Sequence, residues 1–183
     1  MLYFLLSECQ YAHGVLENEY HLLYLLRLNN FKIIRSKTMK VFGVDVTDNA
    51  LTNFDIIKYV KLLDVPHFRG VFMRDTIPSS PRKIECGIVN LNLSVENGSH
   101  WTCYYKNGLN RIYFDSYGQI TPLEIQNYLK TSKEKGIAVI QRNTDVVQAI
   151  DTHICGQLCL FVLKALSSGW SFQQVLNHLD GYS

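Results

Sequence analysis

Four residues of this 183-residue chain have the types that a thiol-based reaction needs: His100, Asp115, Gln148 and Cys155. Cys155 follows the polar stretch Asp151-Thr152-His153 and opens the apolar run Cys155-Gly156-Gln157-Leu158-Cys159-Leu160-Phe161, so it is expected at a helix start. Unpaired N–H groups and the helix dipole favour negative charge there, and a nearby imidazolium adds to the effect, so a thiolate is stabilised. Gly156 would let a substrate backbone approach the sulfur. Cys159 lies one turn on and is expected to pack as a small apolar residue. A disulfide between the two is awkward within a regular helix. Taken alone, burial is the better reading of Cys155, because free cysteine is among the most buried residue types.

A base for that thiol comes from a hairpin signal. Asn107-Gly108 supplies the positive φ values of a two-residue type I′ turn. With those residues at the tip, Lys106 pairs with Leu109, Tyr104 with Arg111, Thr102 with Tyr113 and His100 with Asp115. Directly opposed residues share a face, about 5 Å apart at Cβ. An Asp beside a His fixes its tautomer and stabilises the imidazolium. Trp101, Cys103, Tyr105, Ile112 and Phe114 then form a core face, and His100 and Asp115 lie on a wet one. By itself, a routine cross-strand polar pair remains the better reading. Gln148 could donate to a developing oxyanion together with the Cys155 N–H, or be an ordinary surface glutamine. His153 is a rival base without an orienter. His13, His21, His67 and His178 have no comparable surroundings.

These residues must be held by elements that the pattern also predicts. Apolar positions Leu51, Phe54, Ile57 (with Ile56), Val60, Leu62 and Leu63 give a helix over 51–63, ended by Asp64-Val65-Pro66. A loop follows over 76–81. Strands are predicted over 84–93, 101–106 and 111–115, with a turn at Ser116-Tyr117-Gly118. A helix over 123–130 starts near Thr121-Pro122. A short strand follows over 137–142, then a strongly apolar helix over 155–166. A last helix, capped by Ser171, runs through Leu179. The expected class is α+β, a central mixed or antiparallel sheet flanked by helices. Residues 1–38, rich in Leu and Tyr, read as an N-terminal extension before a 39–183 domain that could start at Met39; a helix packed on the domain is the alternative.

Composition bounds the possibilities. Hydrophobic residues make up 47% and charged residues 19%, enough for a sizeable core. Eighteen Lys and Arg against sixteen Asp and Glu leave a formal charge of +2, too little for a strong nucleic-acid or membrane field. The five cysteines form no CxxC pair, so no zinc module, and no other metal or cofactor, is expected. The run Leu2–Leu6 is short and lacks a basic start, and His21 and Arg27 interrupt the next apolar stretch. The expectation is a reducing intracellular compartment, without secretion or a membrane.

Read in chain order, Gly98-Ser99-His100-Trp101, Phe114-Asp115-Ser116-Tyr117-Gly118, Gln148 and Cys155-Gly156-Gln157-Leu158-Cys159 resemble the adenovirus-type cysteine proteases (adenain) and, more distantly, the SUMO-specific proteases. That family shows a His-Trp pair, an acidic residue in a (D/E)-x-(F/Y)-G setting, a Gln, and Cys-Gly at a helix start. The step from Gln148 to Cys155 is the adenain step. Residues 83–90, 53–63 and 72–75 extend the likeness upstream, so it covers about 51–179. It implies His100 as general base, Asp115 as its orienter, Cys155 as nucleophile, Gln148 as oxyanion donor and Trp101 as a wall of the substrate site. Asp115 stands where adenain has Glu and the SUMO proteases have Asp. The implied activity is a cysteine endopeptidase on protein substrates: capsid precursors of a virus or of a Maverick/Polinton element, in the host nucleus or virion, cut after small-residue motifs containing Gly. The alternative is processing of ubiquitin-like proteins or their conjugates. The family's activators, a disulfide-linked peptide and DNA, are implied less directly, because residues 136–142 contain no Cys and the net charge is small.

Overall fold

The structure, a computed structural model, describes residues 38–131, 136, 139–149 and 151–180. The expected 1–38 extension lies outside them apart from Thr38. Thr38 opens β1 (Thr38–Val41), which pairs antiparallel with β2 (Val44–Thr47). Their turn, Phe42-Gly43, has positive φ at both residues (45° and 84°), the geometry whose twist matches a hairpin. Phe42 holds this unfavourable conformation while its ring packs on Phe161 and Trp170, at centroid distances of 5.4 and 5.8 Å. Neither strand was anticipated from the sequence.

The main sheet has five strands in the order β3-β4-β5-β6-β7: β3 Phe68–Met73, β4 Ile84–Asn90, β5 Trp101–Asn107, β6 Asn110–Phe114 and β7 Ile140–Arg142. The three inner strands are antiparallel, and both edge strands join parallel, so the sheet is mixed. β3 also escaped the sequence reading. Its residues, Phe-Arg-Gly-Val-Phe-Met, lack a period of two, all six are half-buried, and its pairing slips between Phe68 and Val71.

Four helices occur among the described residues: α1 Asn53–Leu62, α2 Leu123–Lys130, α3 Cys155–Ser167 and α4 Phe172–Leu179. Thr52 and Asp55 form a capping box at the start of α1. Asp64, at φ 48°, closes α1 with Val65 N–H donating to Val60 O and Asp64 N–H to Lys61 O, a Schellman motif. The face α1 buries differs from the one expected. Ile56, Tyr59, Val60 and Leu63 point inward, whereas Phe54 is 77% and Leu62 57% exposed. Spacing of 3, 4 and 7 makes the first set one stripe, and Tyr59 completes it. A capping box of Ser171 and Gln174 opens α4. Apolar all round, α3 is buried except at Lys164 and Ser167, as such a helix must be. It anchors the larger core, with the inward faces of α1 and α4 and with Cys103, Ile112 and Phe114 of the sheet.

The opposite sheet face is not wet. Ile125, Tyr128 and Leu129 of α2 cover Val89, Tyr104 and Tyr113. The hairpin register also differs by two residues: Asn107 pairs with Asn110, Lys106 with Arg111 and Tyr104 with Tyr113. The tip is Gly108-Leu109, with φ +61° at Gly108 and no positive φ at Leu109, the pattern of a II′ turn. β4 draws Asn107 into the ladder opposite Ile84, and Gly108 N–H donates to Lys83 O at 2.9 Å. A shift of two leaves every side chain on its expected face, so the core face stands.

Candidate active site

His100 immediately precedes β5 and Asp115 immediately follows β6, so the hairpin delivers both to the same end of the sheet. In the observed register they are not cross-strand partners, and the expected pairing is corrected in that respect. They meet just beyond the ladder, where His100 Nε2 lies 2.8 Å from Asp115 Oδ1. The position continuing the ladder opposite His100 belongs to Tyr117, whose ring lies against the imidazole at 4.9 Å and 31°. Tyr117 N–H also donates to Asp115 Oδ1, at 2.8 Å. Asp115 is fully buried, and its Oδ2 has no hydrogen-bond partner among the described residues. Burial is the strongest single influence on His100 and disfavours its charged form. The Asp115 hydrogen bond, the neighbouring Cys155 side chain and the Asp115 charge outweigh it, so the imidazole is pushed up to about 9 from an ordinary 6.5. With Nε2 facing Asp115, Nδ1 is the nitrogen left for the sulfur.

Cys155 is the first residue of α3 and is buried. Ile154 offers no side-chain cap, and the first helical bond runs from Leu158 N–H to Ile154 O at 3.0 Å. The N–H groups of Cys155, Gly156 and Gln157 therefore have no acceptor within the helix. Gln157 fixes this first turn, its Nε2 donating to Thr47 O and Asn49 O at 2.6 and 2.8 Å. Cys159 is fully buried with Sγ 3.5 Å from Trp101 O, the packing role expected of it. Cys86, Cys103, Cys155 and Cys159 are all free thiols.

Gln148 is buried, not on the surface. Its Oε1 accepts from Ser116 Oγ at 2.7 Å, and its Nε2 donates to Thr152 O at 2.8 Å and to Tyr117 Oη at 3.3 Å. The loop that carries it is stitched to the turn that carries Asp115. Asn143 accepts from Asp115 N–H at 3.1 Å and donates to Asp115 O at 2.6 Å, and Val147 N–H donates to Ser116 O at 2.9 Å. Ser116, Tyr117 and Asn143 were not recognised as site residues in the sequence. Nothing in the local pattern marks Asn143, which acts on a strand end 28 residues away.

A cavity of about 590 Å³ is lined by His100, Gln148 and Cys155, with Trp101, Tyr117 and the apolar Val71, Phe72 and Met73. The structure thus brings His100, Asp115, Gln148, Cys155 and Trp101 together. The Trp101 indole is pinned by donation from Nε1 to Leu51 O at 2.8 Å. At Gly156 a Cβ would meet Leu51 at 3.2 Å and Trp101 at 3.3 Å, so its missing side chain makes room for the cavity wall. His153 lines the cavity but is exposed. Chemically, the arrangement offers a thiol beside an oriented, strongly basic imidazole, with amide and helix-terminal N–H groups close by. No group of His, Cys, Asp and Glu suited to a metal occurs among the described residues.

No family model matches the chain, and no curated protein matches it in sequence. Among solved structures it is similar to the ASFV pS273R protease, at 15% identity and a TM-score of 0.48, over 71% of this chain and 62% of that one. A Se-Met form of the same protease gives 20% identity and 0.38, over 52% and 39%. The SUMO protease Ulp1, with its catalytic cysteine oxidised to a sulfenic acid, gives 11% identity and 0.40, over 82% and 87%.

Proposed function

We propose that the chain is a cysteine endopeptidase in which His100, Asp115, Cys155 and Gln148 act together. The observation that carries this reading is the 2.8 Å contact of His100 Nε2 with buried Asp115, which leaves Nδ1 for a sulfur that opens α3. His100 Nδ1 takes the Cys155 proton, and Sγ attacks the peptide carbonyl carbon. The oxyanion is held by Gln148 Nε2 and the Cys155 N–H, each worth about 3 kcal/mol in comparable sites. His100 returns the proton to the leaving nitrogen as the C–N bond breaks. Water then gives a proton to His100 and attacks the thioester. Sγ leaves and recovers that proton. Trp101 walls the cavity beside the scissile bond.

The substrates are capsid precursors of a virus or of a Maverick/Polinton element, cut after small-residue motifs containing Gly in the host nucleus or the virion. Residues 39–183 form the protease domain, and 1–38 extend it. A peptide library, offered with and without DNA and capsid-derived peptides, tests substrate and activator together. Cys155→Ala should abolish both cleavage and active-site labelling by iodoacetamide; retained cleavage would end the nucleophile assignment. Reaction with a ubiquitin- or SUMO-derived C-terminal probe, without cleavage of capsid precursors, would replace the capsid substrate with a ubiquitin-like one.

A further inference from the structure

Gln148 carries the amide that would meet the oxyanion, yet both of its N–H groups are engaged. One goes to Thr152 O at 2.8 Å and the other to Tyr117 Oη at 3.3 Å, while Oε1 is held by Ser116. A primary amide has no third hydrogen to give. An incoming oxyanion must therefore share one of these bonds, and the longer one, to Tyr117, is the easier to share.

Tyr117 Oη accepts in that bond, so the hydroxyl's own proton is left over. It sits at the cavity wall, a hydrogen-bond length from Gln148 Nε2. The rest of Tyr117 is held: its N–H is on Asp115 Oδ1 and its ring lies on His100. The next residue, Gly118, takes φ +64° with the Thr144 carbonyl oxygen 2.3 Å from where a Cβ would be, so no other residue lets the turn pack there. Only rotation about the phenolic C–O bond is needed to re-aim the hydroxyl.

The geometry points to Tyr117 as a third donor of the oxyanion site, its hydroxyl hydrogen-bonding the developing oxygen beside Gln148 Nε2 and the Cys155 N–H. This rests on the cysteine-peptidase reading. As charge grows on the carbonyl oxygen, the hydroxyl turns toward it, and the Gln148 hydrogen that Tyr117 had accepted is freed for the same oxygen. The phenol keeps its proton throughout. The opposite role, a brake that withholds Gln148, predicts the opposite sign.

Tyr117→Phe separates the two, because it keeps the ring and the backbone N–H and removes only the hydroxyl. The substrate is the library peptide that the wild-type chain cleaves fastest. The inhibitor is the aldehyde of the same peptide, whose hemithioacetal places an oxygen at the site. The expected result is a fall in kcat of about 10- to 100-fold with KM within about twofold, and a matching loss of aldehyde affinity. Iodoacetamide alkylation of Cys155 against pH should not move, since that displacement forms no oxyanion. An unchanged or higher kcat overturns the proposal, and so does an equal fall in alkylation, which would place the effect on His100 or the fold. Tyr117→Leu, which also loses the ring, should disturb alkylation and marks that second outcome. If the wild-type chain cleaves no library peptide, or Cys155→Ala still cleaves, the underlying reading fails whatever Tyr117→Phe does.

Discussion

His100 is pushed above its ordinary range against its own burial because a fully buried carboxylate, whose Oδ2 has no hydrogen-bond partner among the described residues, lies against Nε2. Asp115→Asn keeps the shape and removes that charge, so the imidazole should return towards its ordinary range. Turnover should fall by about 10²- to 10⁴-fold in steady-state assays. The same shift has a signed effect on stability. The folded-state value of about 9 lies above the ordinary 6.5 of an unfolded chain, so the folded state binds more protons between them. The stabilisation is complete below about 6.5 and is lost as the pH rises through about 9. Denaturant midpoints should therefore fall across that window in the wild-type chain and fall less in Asp115→Asn. An identical pH trend in both would contradict the coupling. At this scale the positions of Asp115 after a strand and Cys155 at a helix start were legible as local features, but alone each read better as a polar pair or as burial, and it was the resemblance carried by their order along the chain that singled them out. Ser116 and Asn143 were not legible, because they act through long-range bonds on residues remote in sequence.

The turn 115–118 and the loop 143–148 behave as one element. Asn143 holds the Asp115 backbone from both sides, Ser116 holds Gln148, and Gly118 lies under Thr144. Gly118→Ala puts a Cβ against the Thr144 carbonyl and strains a φ of +64°, at a cost of about 2–4 kcal/mol. Because the displaced loop carries Gln148, kcat should fall as well as the melting temperature. A stability loss with full turnover would show that the loop can part from the turn harmlessly. The predicted bounds of α2 to α4, β5 and β6 held to within a residue or so, because apolar patterning, Pro122 before α2 and the Ser171 cap of α4 mark such bounds locally. The hairpin register did not hold, because β4, a third strand, decides where Asn107 pairs. β3 was invisible for a related reason: it is an irregular parallel edge whose definition comes from its neighbour.

Across the whole molecule the sheet separates two kinds of work. The face toward α3 carries the larger core, and the face toward α2 holds a buried polar group around Glu85. Glu85 accepts from the Tyr128 hydroxyl, from Arg82 N–H at 3.0 Å and from Arg69 Nη1 at 3.2 Å. Glu85→Ala leaves the Arg69 guanidinium, 19% exposed, without this partner, so a loss of about 3 kcal/mol is expected in chemical denaturation. The kcat of the remaining folded protein should not change, since Glu85 does not line the cavity. α3 joins the core to the cavity, because the helix at the centre of the core begins with Cys155 and its first turn is tied down through Gln157. Such a protein has no gentle decline. On slow heating, loss of turnover and loss of near-ultraviolet dichroism should trace one curve, with no interval in which a folded but idle enzyme accumulates.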